Sequence, residues 1–311
     1  MRGFALGDLA TPPTLRDDLA APTPGDGDAL VRVQASSVNG ADVAIAAGML
    51  EGMFEHEFPV VLGRDYAGVV EQVGAGVTRF GVGDEVFGFV PHANPTVHDG
   101  SWTELIAVPE DNLASAPSGV DVAATGAAPL AGITALTALD ALELSAGQTV
   151  LIVGATGGVG SLAAQLAAHG GAAVIAPALP EDEDYLRGLG VSEIVDRNSD
   201  VAAAVRELHS DGVDALLDVV SFTSDELEVY AAAVKPGGRV ASSVGAAGDG
   251  PGRTNVVAVP APENLQRLAE LLEAETLAIP IQRSYSLEKT GEALQAFGTR
   301  HTQGKLGIAI G

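Results

Sequence analysis

A glycine-rich turn in the middle of the chain is the first candidate for chemistry. Residues 150–160 read VLIVGATGGVG, an apolar strand that runs into a turn and then into a helix. Ala155 replaces the first glycine of the pattern Gly-x-Gly-x-x-Gly, whereas Gly157 and Gly160 are in place. Gly157 lets the backbone approach a pyrophosphate, and Gly160 lets the helix pack close to the strand. The stretch therefore predicts a dinucleotide site.

The adenosine end of this site has an unusual composition. NAD-binding turns place an acid at the end of the second strand, where it accepts from the ribose hydroxyls. Here the strand ends in Ala176-Pro177, and neither residue can do so. The acids at 181–184 would repel a phosphate if they faced it, although in the first turn of a helix they can instead be solvated. Arg197, after the third strand, is either the cation for a 2′-phosphate or a surface arginine, and we predict NADPH rather than NADH.

The elements around these residues predict two domains. Short strands separated by glycine and proline favour a β-rich domain over residues 1–121. From residue 122, where one helix is expected over 122–142, helices and strands alternate, as in βαβ units with a doubly wound parallel sheet. The last segment, 266–311, holds two helices and a terminal strand, and we expect it to return to the first domain. The fold class is therefore α/β, with a Rossmann domain at 122–265 inserted into a β-rich domain.

Charge and cysteine content narrow the class of partners. The formal net charge is −25, and this field repels nucleic acid and anionic membrane surfaces. Residues 144–180 contain no Asp, Glu, Lys or Arg, but they divide into strand, turn, helix and strand, which favours a buried core over a membrane span. The chain has no cysteine, so disulfides and thiolate metal sites are excluded. The first 14 residues lack a signal-peptide core, and we expect a cytoplasmic protein.

Four segments resemble one family in its order and spacing. They are FPVVLGRDYAGVVEQVGAGVTRFGVGDEVFGF at 58–89, PLAGITALTAL at 129–139, VLIVGATGGVGSLAAQLA at 150–167 and HTQGKLGIAI at 301–310. They are similar to the zinc-independent quinone oxidoreductases, the zeta-crystallin-like branch of the medium-chain dehydrogenase/reductase superfamily. The resemblance implies a GroES-like catalytic domain, NADPH as hydride donor, and quinones or α,β-unsaturated carbonyls as substrates. It also implies an active site between the domains and a homodimer.

The resemblance also assigns residues to the reaction. Asn39, in the segment NGAD, stands where the family has an asparagine that can hydrogen-bond the substrate oxygen or the nicotinamide. A turn-capping role is the alternative for Asn39, and Asp42 is expected to be structural. Alanines at 44 and 46 replace the tyrosine and arginine that the family often has there. The proton donor therefore stays open between Tyr66, His92 and solvent, and we take Asn39 and Tyr66 as the catalytic candidates.

A larger set is expected to bind the cofactor. Thr134 matches a family threonine near the nicotinamide, residues 243–245 match the segment that cradles its carboxamide, and Lys305 lies near the active-site mouth in relatives. The full set is Asn39, Thr134, Ala155, Thr156, Gly157, Gly158, Val159, Ala176, Arg197, Val219, Ser243, Val244, Gly245 and Lys305. No metal is expected, because Gly63-Arg64-Asp65 replaces the Gly-His-Glu of zinc-using relatives.

Three other interpretations are weighed against this one. A non-catalytic NADPH-binding protein with a structural or regulatory role would show no turnover. An acyl-thioester enoyl reductase should have basic residues for the carrier phosphate, and Arg64, Arg79 and Arg253 are few and scattered. The short-chain dehydrogenase motif Tyr-x-x-x-Lys is matched at 285–289, but an N-cap at Ser286 would leave Tyr285 outside the helix.

Overall fold

The computed structural model describes residues 1–93, 96–299 and 301–311, and the chain divides into two compact units. Unit 1 comprises Met1–Leu130, Val259–Glu275 and Ile281–Gly311, and unit 2 comprises Ala131–Ala258 and Thr276–Pro280. An inserted unit was predicted, with boundaries at 122 and 265. The structure moves the first boundary to 131 and the second to 258, and it adds a short return at 276–280 to unit 2.

The elements are numbered in chain order. The first part of the chain contains β1 (Gly3–Leu6), β2 (Thr14–Arg16), β3 (Asp28–Ser37), α1 (Gly40–Ala46), β4 (Val60–Val61), β5 (Asp65–Val73), β6 (Glu85–Phe89), β7 (Leu105–Pro109), β8 (Leu113–Ser115), α2 (Val122–Thr125) and α3 (Pro129–Leu142). The middle contains β9 (Thr149–Val153), α4 (Gly158–His169), β10 (Ala173–Ala178), α5 (Glu183–Gly188), β11 (Glu193–Asp196), α6 (Val201–Leu208), β12 (Val213–Asp218), α7 (Ser224–Ala231), β13 (Val234–Ser242) and β14 (Arg253–Asn255). The end contains α8 (Pro262–Glu273), β15 (Ile281–Ser286), α9 (Thr290–Thr299) and β16 (Lys305–Ala309).

Unit 1 is built on a seven-stranded sheet in the order β15-β16-β3-β5-β6-β8, with β7 also paired to β3. A second sheet of three strands has the order β2-β1-β4. The core of this unit includes Trp102, Val31 and Leu113, which are fully buried. The order places β3 between β16 and β5, so residues far apart in the chain meet at one end of β3.

Unit 2 is a six-stranded parallel sheet in the order β11-β10-β9-β12-β13-β14. The residues of β9, TVLIV, are buried apart from the first, as expected for a strand covered on both faces. Strand order reverses between β9 and β12, which is the switch point where α/β sheets bind their ligands. The predicted doubly wound fold is confirmed.

The prediction of one helix over 122–142 is wrong. Two helices, α2 and α3, cover this range and are separated at residues 126–128. A Cβ on Gly126 would lie 2.7 Å from the backbone of Ala35, so α2 ends in close contact with β3. Pro129 then opens α3, since proline fits the first position of a helix, where its missing N–H has no partner to lose.

Two strands differ from their predicted extents. β10 continues to Ala178 rather than ending at Pro177, and β15 at 281–286 was not predicted at all. β15 pairs in parallel with β16 and contains Tyr285, which confirms that Tyr285 lies outside the helix that follows. Among the described helices, none is long and apolar enough to cross a bilayer.

Candidate active site

In the glycine turn after β9, Gly154 has a positive φ angle, a conformation that only glycine adopts readily. Gly154 has φ of +89°, and a Cβ there would lie 2.6 Å from Cγ2 of Val219. Val219 in turn donates its N–H to the carbonyl of Val153 at 3.2 Å, so the ends of β9 and β12 are joined at this turn. Gly154 is therefore a steric requirement of the turn, in addition to the glycines of the motif.

The two glycines predicted to matter differ in their surroundings. A Cβ on Gly160 would lie 2.2 Å from the carbonyl oxygen of Gly154, so α4 packs directly against the turn. A Cβ on Gly157 would approach nothing closer than 3.6 Å, so the face of this residue is open. Gly157 is the N-cap of α4, and the first N–H groups of a helix have no partner within it. A pyrophosphate fits this combination of an open backbone and free helical donors.

Two further groups of candidates in unit 2 follow strands β9 and β13 at the carboxyl edge of the sheet. Residues 155–159 form the turn and the start of α4, and Ala155 is buried whereas its neighbours are half-buried. Ser243, Val244 and Gly245 follow β13 directly, and the N–H of Ser243 donates to the carbonyl of Asp218 at 3.2 Å. Thr134 lies buried on α3. Strands β9, β12 and β13 are neighbours, and this explains why segments 90 residues apart meet here.

Ala176 requires a correction. It is fully buried inside β10, where it is paired with Ile194, so its side chain is not at the strand end as predicted. The strand end falls at Ala178, whose carbonyl accepts from the N–H of Arg197 at 3.1 Å. The Arg197 side chain is exposed beside this strand end. Glu181, Glu183 and Asp184 are also exposed, as expected for a solvated helix start, but Asp182 is fully buried, so the expectation is wrong for that residue.

Asn39 in unit 1 lies at the junction of β3 and α1. Its N–H donates to Oδ2 of Asp42 at 2.8 Å, which caps the start of α1. Its side chain makes no capping bond and instead lies between two charged groups. Nδ2 donates to Oδ2 of Asp65 at 2.8 Å, and Oδ1 accepts from Nζ of Lys305 at 2.6 Å. The alternative that the amide of Asn39 only caps the turn is therefore wrong.

Asp65 is the centre of this cluster and is fully buried. Its Oδ2 accepts from Ser37 at 2.5 Å and lies 3.3 Å from Nζ of Lys305. Its Oδ1 accepts at 2.7 Å from the N–H of Leu130, in the first turn of α3, where backbone donors lack a partner in the helix. In the sequence, Asp65 stands out only as part of Gly63-Arg64-Asp65, the segment that replaces the Gly-His-Glu of zinc-using relatives. A charged Arg-Asp pair at the start of the apolar segment 65–70 was the signal that could have revealed it.

Lys305 also requires a correction. It was expected at the mouth of the site among the cofactor-binding residues, but it is 3% exposed and contacts Asn39 and Asp65. It is the first residue of β16, which pairs with β3 so that Gly307 lies opposite Ser37. The pairing of three strands thus brings the ammonium group into the buried cluster.

A second buried ion pair lies beside the cluster. Arg64 is 1% exposed and donates to the carbonyls of Pro91 at 2.7 Å and Asp99 at 2.5 Å. Its Nε lies 3.8 Å from Oδ1 of Asp42, an atom without a hydrogen-bond partner among the described residues. Burial raises the pKa of Asp42 to about 7, although the positive charge of Arg64 acts in the opposite direction. Burial also lowers the pKa of Arg64.

Tyr66 is not a proton donor in this structure. Its side chain is fully buried in the core of unit 1, and its hydroxyl donates to the carbonyl of Asn112 at 2.6 Å. Burial raises the pKa of the phenol well above its usual value. The prediction fails because Tyr66 follows Asp65 in β5, so the two side chains point to opposite faces of the sheet. Burial and the positive charge of Arg64 lower the pKa of His92 below its usual value.

No three His, Cys, Asp or Glu side chains lie together as metal ligands in residues 1–93, 96–299 and 301–311. The loop 91–102, which was expected to border the substrate pocket, includes Asn94 and Pro95, which lie outside the described residues.

Comparison with known proteins identifies the family. Residues 25–118 match the family described as "Alcohol dehydrogenase GroES-like domain", and residues 158–269 match "Zinc-binding dehydrogenase". The NADPH-dependent alkenal/one oxidoreductase of Arabidopsis thaliana chloroplasts is 30% identical over 298 residues, which are 94% of this chain and 74% of that protein. The quinone oxidoreductase from Coxiella burnetii has a similar structure, with a TM-score of 0.88 at 25% identity over 100% of this chain and 99% of that one.

The chain belongs to the medium-chain dehydrogenase/reductase superfamily. It is a quinone-oxidoreductase-like member, and its glycine turn fits the nicotinamide cofactor that the superfamily uses. A further relative is the phthioceranic/hydroxyphthioceranic acid synthase of Mycobacterium tuberculosis, 39% identical over 202 residues. The match covers 64% of this chain, but the chain spans only 9% of the length of that synthase.

Proposed function

We propose that this oxidoreductase uses NADPH to reduce quinones or α,β-unsaturated carbonyl compounds. The similarity to the Arabidopsis alkenal/one oxidoreductase carries the proposal, because it extends over both units and 94% of the chain. The fold and the glycine turn agree with a hydride transfer from a nicotinamide. We further propose that the reaction is zinc-independent, since the chain has no cysteine and Arg64 stands where zinc-using relatives have histidine.

The preference for NADPH rests on the end of β10. Ala178 has no side-chain acceptor for ribose hydroxyls, which removes the contact that favours NADH. Arg197 presents an exposed guanidinium beside this strand end, and such a group binds phosphate through charge-assisted hydrogen bonds. Three of the four neighbouring acids, Glu181, Glu183 and Asp184, are exposed to water, where their repulsion of a phosphate is screened, whereas Asp182 is buried.

Asn39 supplies the polar group that the acceptor needs. The bound nicotinamide supplies a hydride, and negative charge then develops on the carbonyl or quinone oxygen. The Nδ2 atom of Asn39 has one acceptor, Asp65, among the described residues, so its second hydrogen is available to that oxygen. A donor that meets growing charge stabilises the transition state more than the ground state. Solvent delivers the proton, since the hydroxyl of Tyr66 is committed to Asn112.

A second candidate is the reduction of an enoyl thioester. It is favoured by the 39% identity to the mycobacterial synthase, which exceeds the identity to the plant relative but covers less of the chain. Hydride transfer to an enoyl thioester follows the same chemistry as hydride transfer to an enone. The two substrates differ because the enoyl group is attached to an anionic carrier, which the enzyme would have to recognise. The net charge of −25 disfavours such a carrier.

The test is steady-state oxidation of NADPH and NADH against 2-alkenals, cyclic enones, quinones and an enoyl-CoA. We expect turnover with NADPH and the uncharged acceptors, and rates that EDTA leaves unchanged.

Arg197→Ala should remove most of the preference for NADPH, about 1–3 kcal/mol. Arg206→Ala is the matched control, because Arg206 donates to backbone carbonyls at the other end of the sheet. Turnover with the enoyl-CoA alone would support the second candidate, and no turnover with any acceptor would support a non-catalytic role.

A further inference from the structure

The buried cluster fixes the side chain of Asn39 in one orientation. An amide can turn over by exchanging its oxygen and nitrogen at little cost when its neighbours both donate and accept. Lysine is a donor only, and it faces Oδ1 at 2.6 Å. A carboxylate is an acceptor only, and that of Asp65 faces Nδ2 at 2.8 Å. If the amide were turned, its Nδ2 donor would face the ammonium donor of Lys305, and its Oδ1 acceptor would face the carboxylate acceptor of Asp65. Both contacts would be repulsive, so both neighbours favour the observed orientation.

We propose that Lys305 and Asp65 are positioning residues that make Asn39 a directed, polarised donor to the oxyanion of the reaction. This inference rests on the proposed function, because it concerns the oxygen of an enone or quinone. The ammonium group at Oδ1 draws electron density from the amide, which strengthens the remaining N–H of Nδ2 as a donor. Neither charged residue needs to touch substrate or cofactor to have this effect.

The rest of the cluster keeps the two charged residues in place. Asp65 accepts from Ser37, Asn39 and Lys305 at one oxygen and from Leu130 at the other, and all four partners are donors. A buried charge without a partner is strongly destabilising, whereas the Lys305–Asp65 pair is compensated. The side chains are held by three adjacent strands, β16, β3 and β5, which leaves little freedom for rearrangement.

The decisive variant removes both charges together. Asp65→Asn with Lys305→Gln keeps hydrogen-bonding groups at both positions and leaves no unpaired buried charge, but each new amide can both donate and accept. We expect kcat to fall about 10- to 100-fold, with KM and the affinity for NADPH within a few-fold of wild type. The matched control is Asp214→Asn with Lys235→Gln, which makes the same exchange at an ion pair of unit 2. This control should keep the wild-type kcat.

A binding measurement tests the donor directly. A substituted phenol that ionises near neutral pH imitates the oxyanion, and its methyl ether has the same shape without the charge. With NADP⁺ bound, wild type should bind the phenolate at least 10-fold more tightly than the ether, and the double variant should lose this preference. A folded double variant that keeps both the preference and kcat would overturn the inference. If wild type reduces no acceptor at all, the proposed function itself fails, and the two failures are thereby distinguished.

A spectroscopic measurement on wild type covers the case in which the double variant does not fold. Asparagine side chains labelled with ¹⁵N give paired hydrogen signals, and Asn39→Asp assigns those of Asn39. One signal should be shifted and slow to exchange, because it faces Asp65, and the other should move only when the phenolate binds. Two equivalent hydrogens that are insensitive to the phenolate would overturn the inference without any variant of the cluster.

Discussion

At the scale of single residues, Asn39 is the side chain on which the chemistry depends. Its backbone N–H caps α1 through Asp42, and its amide is held by Asp65 and Lys305. The two tasks are therefore carried by different atoms of one residue. Changes to the side chain should affect catalysis far more than helix stability.

Asn39→Ala should lower kcat by about ten- to a thousand-fold and leave the affinity for NADPH within a few-fold. The amide is lost from the transition state, whereas the ion pair between Lys305 and Asp65 remains. Asn39→Asp should be worse, since its carboxylate would repel the developing enolate. Steady-state kinetics well below the melting temperature, with a parallel fluorescence titration of NADPH, measures both effects. A wild-type kcat in a less stable variant would remove Asn39 from the reaction.

Asp42 should make the free energy of unfolding fall as the pH rises from about 4 to about 7. Its pKa is raised by burial from 3.8 to about 7, so the folded state holds the proton more tightly than the unfolded chain does. This stabilisation is complete below the unfolded pKa and is lost as the pH passes through the folded pKa. One such group contributes at most about 1.4 kcal/mol per pH unit.

The variant Asp42→Asn isolates this contribution, because it keeps an acceptor for the N–H of Asn39 but cannot titrate. Urea unfolding of both proteins between pH 4 and 8 gives the difference in free energy of unfolding. We expect wild type to lose stability relative to the variant as the pH rises. A difference that does not change with pH would show that Asp42 titrates alike in the folded and unfolded states.

At the scale of elements, two glycines of the turn between β9 and α4 have different roles: Gly160 is needed for packing, whereas Gly157 faces the ligand. Gly160→Ala should destabilise the fold, by about 1–3 kcal/mol, since its Cβ would lie 2.2 Å from a carbonyl oxygen. Gly157→Ala should keep the melting temperature but weaken NADPH binding at least about 10-fold, because its methyl group would fill the open face of the turn. Thermal unfolding and NADPH titration of the two variants measure their melting temperatures and their affinities for NADPH. Equal losses of stability, or unchanged affinity in Gly157→Ala, would contradict this assignment.

The glycine turn was predictable because its signal is local. An apolar strand, four glycines and an apolar helix follow one another within 20 residues, and each has its own pattern. The division of 122–142 into α2 and α3 was not predictable, because it depends on the contact of Gly126 with β3. The cluster around Asn39 depends on pairing among β3, β5 and β16, whose residues are up to 266 positions apart. For the same reason, the burial of Tyr66 and Lys305 could not be read from the sequence.

At the scale of the whole molecule, we expect a homodimer. β14 is the last strand of the parallel sheet, and Val257 beyond it is 74% exposed, so this edge offers backbone and apolar groups to a second copy. Each copy carries a net charge of −25, so salt should strengthen association by screening the repulsion. Sedimentation should give about twice 31.3 kDa, and Val257→Glu should shift the protein toward a single copy. A mass of one chain at every salt and protein concentration would exclude the dimer.

The most direct test of the proposed function follows one deuterium atom. Reduction of a 2-alkenal with NADPH deuterated at C4 distinguishes the two carbons that a hydride can reach. We expect a saturated aldehyde with deuterium at its β-carbon, formed equally well in the presence of EDTA and identified by mass spectrometry. An allylic alcohol with deuterium at the former carbonyl carbon, or activity that EDTA abolishes, would contradict a zinc-independent reduction of the carbon–carbon double bond.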